Sequence, residues 1–124
     1  MLGYVMVGTN NLEKAIIFYD EVLKVLNLER NYKDDVCAGY TEKNGDGTIE
    51  FYVTKPVNMK EATNGNGTQV SFITSSRDIV NKFHEIGLKA GGKSEGAGGE
   101  RPEGSGVYYL SLIHISEPTR RQQI

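Results

Sequence analysis

Two histidines, one cysteine and a scatter of carboxylates are the groups of this 124-residue chain that could move a proton, attack a carbon or hold a metal. Glu50 stands in the β-like run "TIEFYV", where on its own it reads as a strand-edge carboxylate facing water. Cys37 has no CxxC partner and nothing nearby to activate it, so it reads as a quiet strand thiol. His84, in "NKFHEIG", falls on a helical pattern as a surface or packing residue. The glycines between Gly91 and Gly106 form no GxGxxG, and Pro102 argues against a helix opening there to receive a phosphate; a lid over a neighbouring surface is the functional reading they allow.

Composition narrows the setting. A chain of this length buries one core. With 38% hydrophobic and 24% charged residues and no apolar run near the roughly 20 residues a bilayer demands, it reads as a globular chain with no membrane partner. A formal net charge of −2 gives no footprint for nucleic acid. The lone cysteine and an opening "MLGYVMVGTN" without a basic flank or cleavage site predict a cytoplasmic protein.

The elements that must position these groups emerge from periodicity. "LGYVMVGT" is a short β run, and Asn10 or Asn11 caps the helical segment after it; Asn10 and Glu13 have capping-box spacing. Ala15, Ile16, Tyr19, Val22, Leu23 and Leu26 then make one apolar helical face, which predicts a helix near 11–27 packed on a sheet. "NYKDDVCAGYTEKNGDGTIEFYVTKP" reads as strands broken at Asn44-Gly45 and Asp46-Gly47. After a polar linker the grammar recurs in "QVSFITSSRDIVNKFHEIGLKAGG". Shifted by 65, Val5 falls on Val70, Val7 on Phe72, Asn10 and Asn11 on Ser75 and Ser76, and Phe18 on Phe83, so a second helix is predicted near 76–88. Strand alternation turns Val5, Val7, Val70 and Phe72 toward the helices and Tyr4, Met6, Gln69 and Ser71 to the other face.

A duplicated strand-helix-hairpin unit carried by "GYVMVGTNNLEKAIIFYDEVL" and "GNGTQVSFITSSRDIVNKFHEIGLKAGG" resembles the vicinal oxygen chelate superfamily, which includes glyoxalase I, bleomycin-resistance proteins and extradiol dioxygenases. The likeness runs from Met1 to Tyr109. It implies an α+β fold of paired βαβββ modules, about 1–58 and 67–109, in one domain, and a cleft between two curved half-sheets that binds a small molecule. Tyr4, Met6, Tyr52, Gln69, Ser71 and Tyr108 would line that cleft, and a homodimer is open.

The same resemblance implies a ligand set for a divalent metal. Positions matching Tyr4 and Gln69 are commonly histidine in metal-dependent members, and Glu50 matches the acidic ligand of the first module. Here Glu50 is a strong ligand, Gln69 a weak one and Tyr4 a poor one, so tight metal binding is not expected. The family's "DPDGN" turn and its last strand, where a second acidic ligand can sit, are absent. In their place "LSLIHISEPTR" resembles a translated sequencing adapter, so Leu110 to Ile124 reads as a non-native tail that truncates the second module. His114 therefore receives no role. Residues from Val107 to Ile115 alternate enough to form a strand, and Ser116 to Ile124 is expected to hang free. The resemblance leaves three functions open: a glyoxalase-like lyase or isomerase in which a metal, or Glu50 as general base beside a carbonyl, assists enolisation; a non-catalytic drug-binding protein of the bleomycin-resistance kind; and a degenerate member kept as a dimeric scaffold. Neither substrate nor cofactor is legible.

Overall fold

The computed structural model describes residues 1–63, 67–100, 103, 108–114 and 121–123. Their order is β1 (Val5–Gly8), α1 (Leu12–Val25), β2 (Leu28–Lys33), β3 (Cys37–Glu42), β4 (Ile49–Thr54), β5 (Gln69–Ser71), α2 (Arg77–Lys89), β6 (Gly92–Glu100), β7 (Tyr108–His114) and β8 (Arg121–Gln123). They make two four-stranded sheets, β1-β4-β3-β2 and β5-β8-β7-β6. In each, the first strand lies parallel to the last and the rest are antiparallel. The α+β fold of paired βαβββ modules is thus present.

Local chemistry sets the helix starts. Asn11 caps α1, its side chain accepting from the Lys14 N–H at 3.1 Å, and Ser76, 65 residues on, caps α2 by accepting from the Asp78 N–H at 3.2 Å. Asn10 is no part of a capping box. Its amide oxygen takes the Ala62 N–H at 2.6 Å and its nitrogen donates to the Ala62 carbonyl at 3.3 Å, pinning the linker beside the first turn. That partner lies 52 residues away, beyond any local pattern.

The apolar face of α1 (Ala15, Ile16, Phe18, Tyr19, Val22, Leu23) packs on Val7, Ala38, Tyr40, Phe51 and Val53 of the first sheet. Val5, Val70 and Phe72 join this core half-buried, as alternation predicted. Rings then bridge the modules: Tyr19 to Phe51 at 5.0 Å, Phe51 to Phe72 at 5.5 Å and Phe72 to Phe83 at 6.3 Å between centroids. On the first sheet's helix side the buried Tyr40 hydroxyl donates to Asp20 Oδ1 at 2.9 Å, and Arg30 forks onto the same carboxylate at 3.1–3.3 Å. Burial and then the Asp20 charge push the Tyr40 hydroxyl far above its ordinary range, so it stays a donor at any working pH. Tyr40→Phe should cost about 1 kcal/mol in chemical denaturation, because Asp20 keeps Arg30 and some water; a neutral result would show that the bond adds nothing net.

The tail departs from expectation in part. Tyr108–His114 is the strand foreseen there, but Arg121–Gln123 does not hang free: it pairs with Gln69–Ser71 on one side and Ser111–Ile113 on the other. Two strand edges flank this slot, and their unpaired N–H and C=O groups can be met by almost any extended segment. No helix among the described residues is long and apolar enough to cross a membrane.

Candidate functional site

The face of the first sheet turned away from α1 holds the largest group of exposed aromatic side chains among the described residues. Register places Met6 beside Tyr52, Tyr52 beside Gly39, and Gly39 beside Tyr32, one row across all four strands. Tyr4 packs edge-on against Tyr52 with centroids 5.1 Å apart. Tyr4, Met6 and Tyr32 remain 56%, 41% and 45% exposed, an unusual cost for apolar surface unless something covers it.

Glycine at position 39 makes the row possible. A Cβ there would come within 2.9 Å of Ile49 Cδ1 and 3.1 Å of Tyr52 Cε1, so only a bare backbone lets both side chains lie across it. Ile49 shares the face of Tyr52 because β4 carries a bulge. Tyr40 is registered with Phe51 and Thr41 with Ile49, which leaves Glu50 as the extra residue. Alternation alone therefore does not assign Glu50 a face. It is exposed, and Tyr4 and Glu50 stand one residue ahead of the registered pair Val5 and Phe51.

The β2–β3 turn closes the row at the Tyr32 end. Asp34 Oδ1 accepts from the Val36 and Cys37 N–H groups, both at 2.8 Å, and Oδ2 accepts the Tyr32 hydroxyl at 2.6 Å. The Tyr32 hydrogen bond, then the two backbone bonds, hold the Asp34 carboxyl down at about 2, while the same bond raises Tyr32. An unfolded Asp titrates near about 3.9. The turn's contribution is therefore complete above that value and is lost as pH falls through about 2. An NMR titration should find the Asp34 midpoint at about 2 in the folded chain; a midpoint of about 4, the ordinary carboxylate value, would mean that the turn is not formed in solution.

In the second module Gln69 and Ser71 are exposed at the register positions that the repeat assigns to Tyr4 and Met6. Tyr108 opens β7 and is registered with Glu100 of β6. Cys37 is a free, half-buried thiol in β3 that burial pushes upward, away from the reactive thiolate. His84 Nε2 lies 3.0 Å from Ser94 Oγ, a tie between α2 and β6. Among the described residues no three His, Cys, Asp or Glu side chains converge as a metal set would. A separate groove of about 400 Å³ at the end of α1 is lined by Asp20, Lys24, Asn27, Leu28, Arg30 and Lys43, among others. The Asp20–Arg30 pair forms part of its wall. Tyr32 and Ile49 are the members of the aromatic face that sequence reading missed. Their places depend on bulges at Asn31 and Glu50, for which the sequence carries no evident signal.

No protein-family model matches the chain, and no curated protein sequence matches it. Solved structures do. A glyoxalase/bleomycin resistance protein from Albidiferax ferrireducens superposes with a TM-score of 0.83 at 28% identity, covering 99% of this chain and 97% of that one. A glyoxalase-related enzyme from Fulvimarina pelagi gives 0.77 at 13% identity over 100% and 86%. A glyoxalase/bleomycin resistance protein/dioxygenase family enzyme from Burkholderia phytofirmans gives 0.69 at 15% over 98% and 95%. With its two βαβββ modules in matching strand order, the chain has the vicinal oxygen chelate fold, that of the glyoxalase/bleomycin resistance/dioxygenase proteins.

Proposed function

We propose that this chain binds a small planar molecule on the outer face of its first sheet, and that binding rather than turnover is its main activity. The observation that carries this reading is the exposed row of Met6, Tyr52 and Tyr32, with Tyr4 packed edge-on against Tyr52. Aromatic faces attract flat apolar rings and cations, and the Glu50 carboxylate, exposed in the same strand as Tyr52, would favour a positive charge on a ligand that reaches it. Gln69 and Ser71 would supply hydrogen bonds from the second module. The fold's own bleomycin-resistance relatives support a sequestering role by analogy.

A second reading, lyase or isomerase chemistry on a small carbonyl compound, is favoured by one feature: Glu50, the extra residue of the β4 bulge, is an exposed carboxylate in the strand that carries Tyr52. A carboxylate there could take the proton next to a carbonyl. Glu50 and Gln69 are the residues that would hold a divalent ion assisting that step, and as a set they are poor in charge and imidazole. Calorimetry separates the two. An acridine-class cation should bind without being changed, and more tightly than its anionic analogue. Elemental analysis should find the dialysed protein without stoichiometric nickel, zinc or iron. Stoichiometric metal lost in Glu50→Ala, together with isomerisation of a small dicarbonyl adduct, would move the enzyme reading to first place. Failure of every aromatic probe would remove the binding reading.

A further inference from the structure

Asp34 is the carboxylate that the geometry sets against the aromatic row. Both of its oxygens are fixed: Oδ1 accepts the Val36 and Cys37 N–H groups at 2.8 Å, and Oδ2 accepts the Tyr32 hydroxyl at 2.6 Å. The Asp34 N–H donates in turn to the Cys37 carbonyl at 3.0 Å, so backbone and side chain of the turn hold each other. Gly39 is registered with both Tyr32 and Tyr52, and Cys37 stands two residues before Gly39 in β3, on the same face. Burial, then the Asp34 charge, raises the Cys37 thiol; the hydrogen bond to Asp34, with a weaker push from Tyr52, raises the Tyr32 hydroxyl. Carboxylate, thiol and the two rings therefore share one neighbourhood on the outer face.

Among the described residues no cation pairs with this carboxylate. The groups that act on it most strongly are neutral donors, the Tyr32 hydroxyl and the Cys37 and Val36 N–H groups. Lys33 turns its ammonium to Glu13 at 3.3 Å, and Asp35 adds a like charge in the exposed turn. A hydroxyl that donates to a full negative charge at 2.6 Å makes a short, strong bond, which fixes the Tyr32 ring and enriches the face that a cation would meet. Glu50 has no comparable anchor among the described residues, and its bulge leaves its side unassigned.

We infer, on the basis of the ligand-binding reading proposed above, that Asp34, acting beside and through Tyr32, gives the aromatic row its preference for a cation. The positive end of a flat ligand lies over Tyr32 at the β2–β3 turn, and Asp34 rather than Glu50 sets the charge discrimination. Asp34 is thus a positioning residue for the Tyr32 ring and the counter-charge for the ligand.

Calorimetry on the full chain with aminoacridine, a cation, and acridone, a neutral tricycle of similar shape, tests this. Asp34→Asn keeps an oxygen that accepts the two N–H groups, so the turn stays while the charge goes. Aminoacridine should then bind about two- to fivefold more weakly at low ionic strength, the range of an exposed ion pair, with acridone unchanged. Glu50→Gln should cost less than Asp34→Asn. Without any ligand, NMR should find the Tyr32 hydroxyl titrating above the ordinary phenol value of about 10 in the unaltered chain and lower in Asp34→Asn. No loss for aminoacridine, an equal loss for acridone, a larger loss in Glu50→Gln, or a Tyr32 titration that ignores the substitution overturns the inference and leaves the binding reading standing. Failure of both ligands to bind the unaltered chain overturns the two together. Should Asp34→Asn not fold, Asp34→Ser, whose hydroxyl can close the same turn, takes its place with the same expected results.

Discussion

Phe18→Ala is expected to lower the stability of the whole chain by about 3–5 kcal/mol, the range for deleting a fully buried phenyl ring. Phe18 lies on α1, yet its ring also reaches the second module: a Cβ added at Gly92 would come within 2.9 Å of Phe18 Cε1 and 2.8 Å of the Gly87 carbonyl oxygen. The ring is therefore wedged where α2 turns into β6, and its loss opens a cavity shared by both modules. Backbone on one side and a buried ring on the other leave little room to collapse, which puts the cost toward the upper end. Gly92→Ala should destabilise as well, by about 1–3 kcal/mol, because the new methyl meets backbone that cannot move aside cheaply. Urea denaturation with circular dichroism in the far ultraviolet measures both. A Phe18→Ala loss below about 1 kcal/mol, well short of the range for a buried ring, would mean that the modules do not share this core.

The second large effect concerns the ligand. Tyr52→Ala is expected to weaken binding of an acridine-class cation by about ten- to a hundredfold, the range for removing a central aromatic anchor. Tyr52 is the member of the row that touches both sides: Tyr4 packs on its ring at 5.1 Å, and Gly39 lets it lie flat across the sheet. Removing it leaves Met6 and Tyr32 separated across the strands. Because Tyr52 is half-buried on the outer face, the core keeps Phe51 and Val53 and the fold should survive. Gly39→Val should act in the same direction by pushing Ile49 and Tyr52 out of line. Calorimetry on folded variants decides it, and an unchanged affinity for Tyr52→Ala would place the ligand elsewhere.

Much of the frame can be read from sequence because it rests on local rules. Asn11 and Ser76 announce helix starts through their own side chains, and Val5 and Val7 alternate with Tyr4 and Met6 as a half-buried strand must. The 65-residue repeat then orders the two modules. What escaped depends on partners far along the chain. Asn10 looks like a cap and instead holds Ala62. Tyr32 reaches the aromatic row only because a bulge at Asn31 shifts β2 against β3, and Ile49 only because Glu50 is extra in β4. Period-two reading assumes an unbroken ladder, so a bulge defeats it without changing composition. The pairing of Arg121–Gln123 is invisible for another reason: backbone ladders accept sequences with little strand propensity when two open edges flank them.

Amide chemical-shift mapping with a saturating acridine-class cation locates the bound ligand on the fold. Shifts are expected at residues 4–8, 31–33, 37–41 and 49–54, the segments that carry the outer face, with residues 20–30 around the separate groove unmoved. Shifts confined to residues 20–30 and Lys43, or spread over α1 and α2, would contradict it.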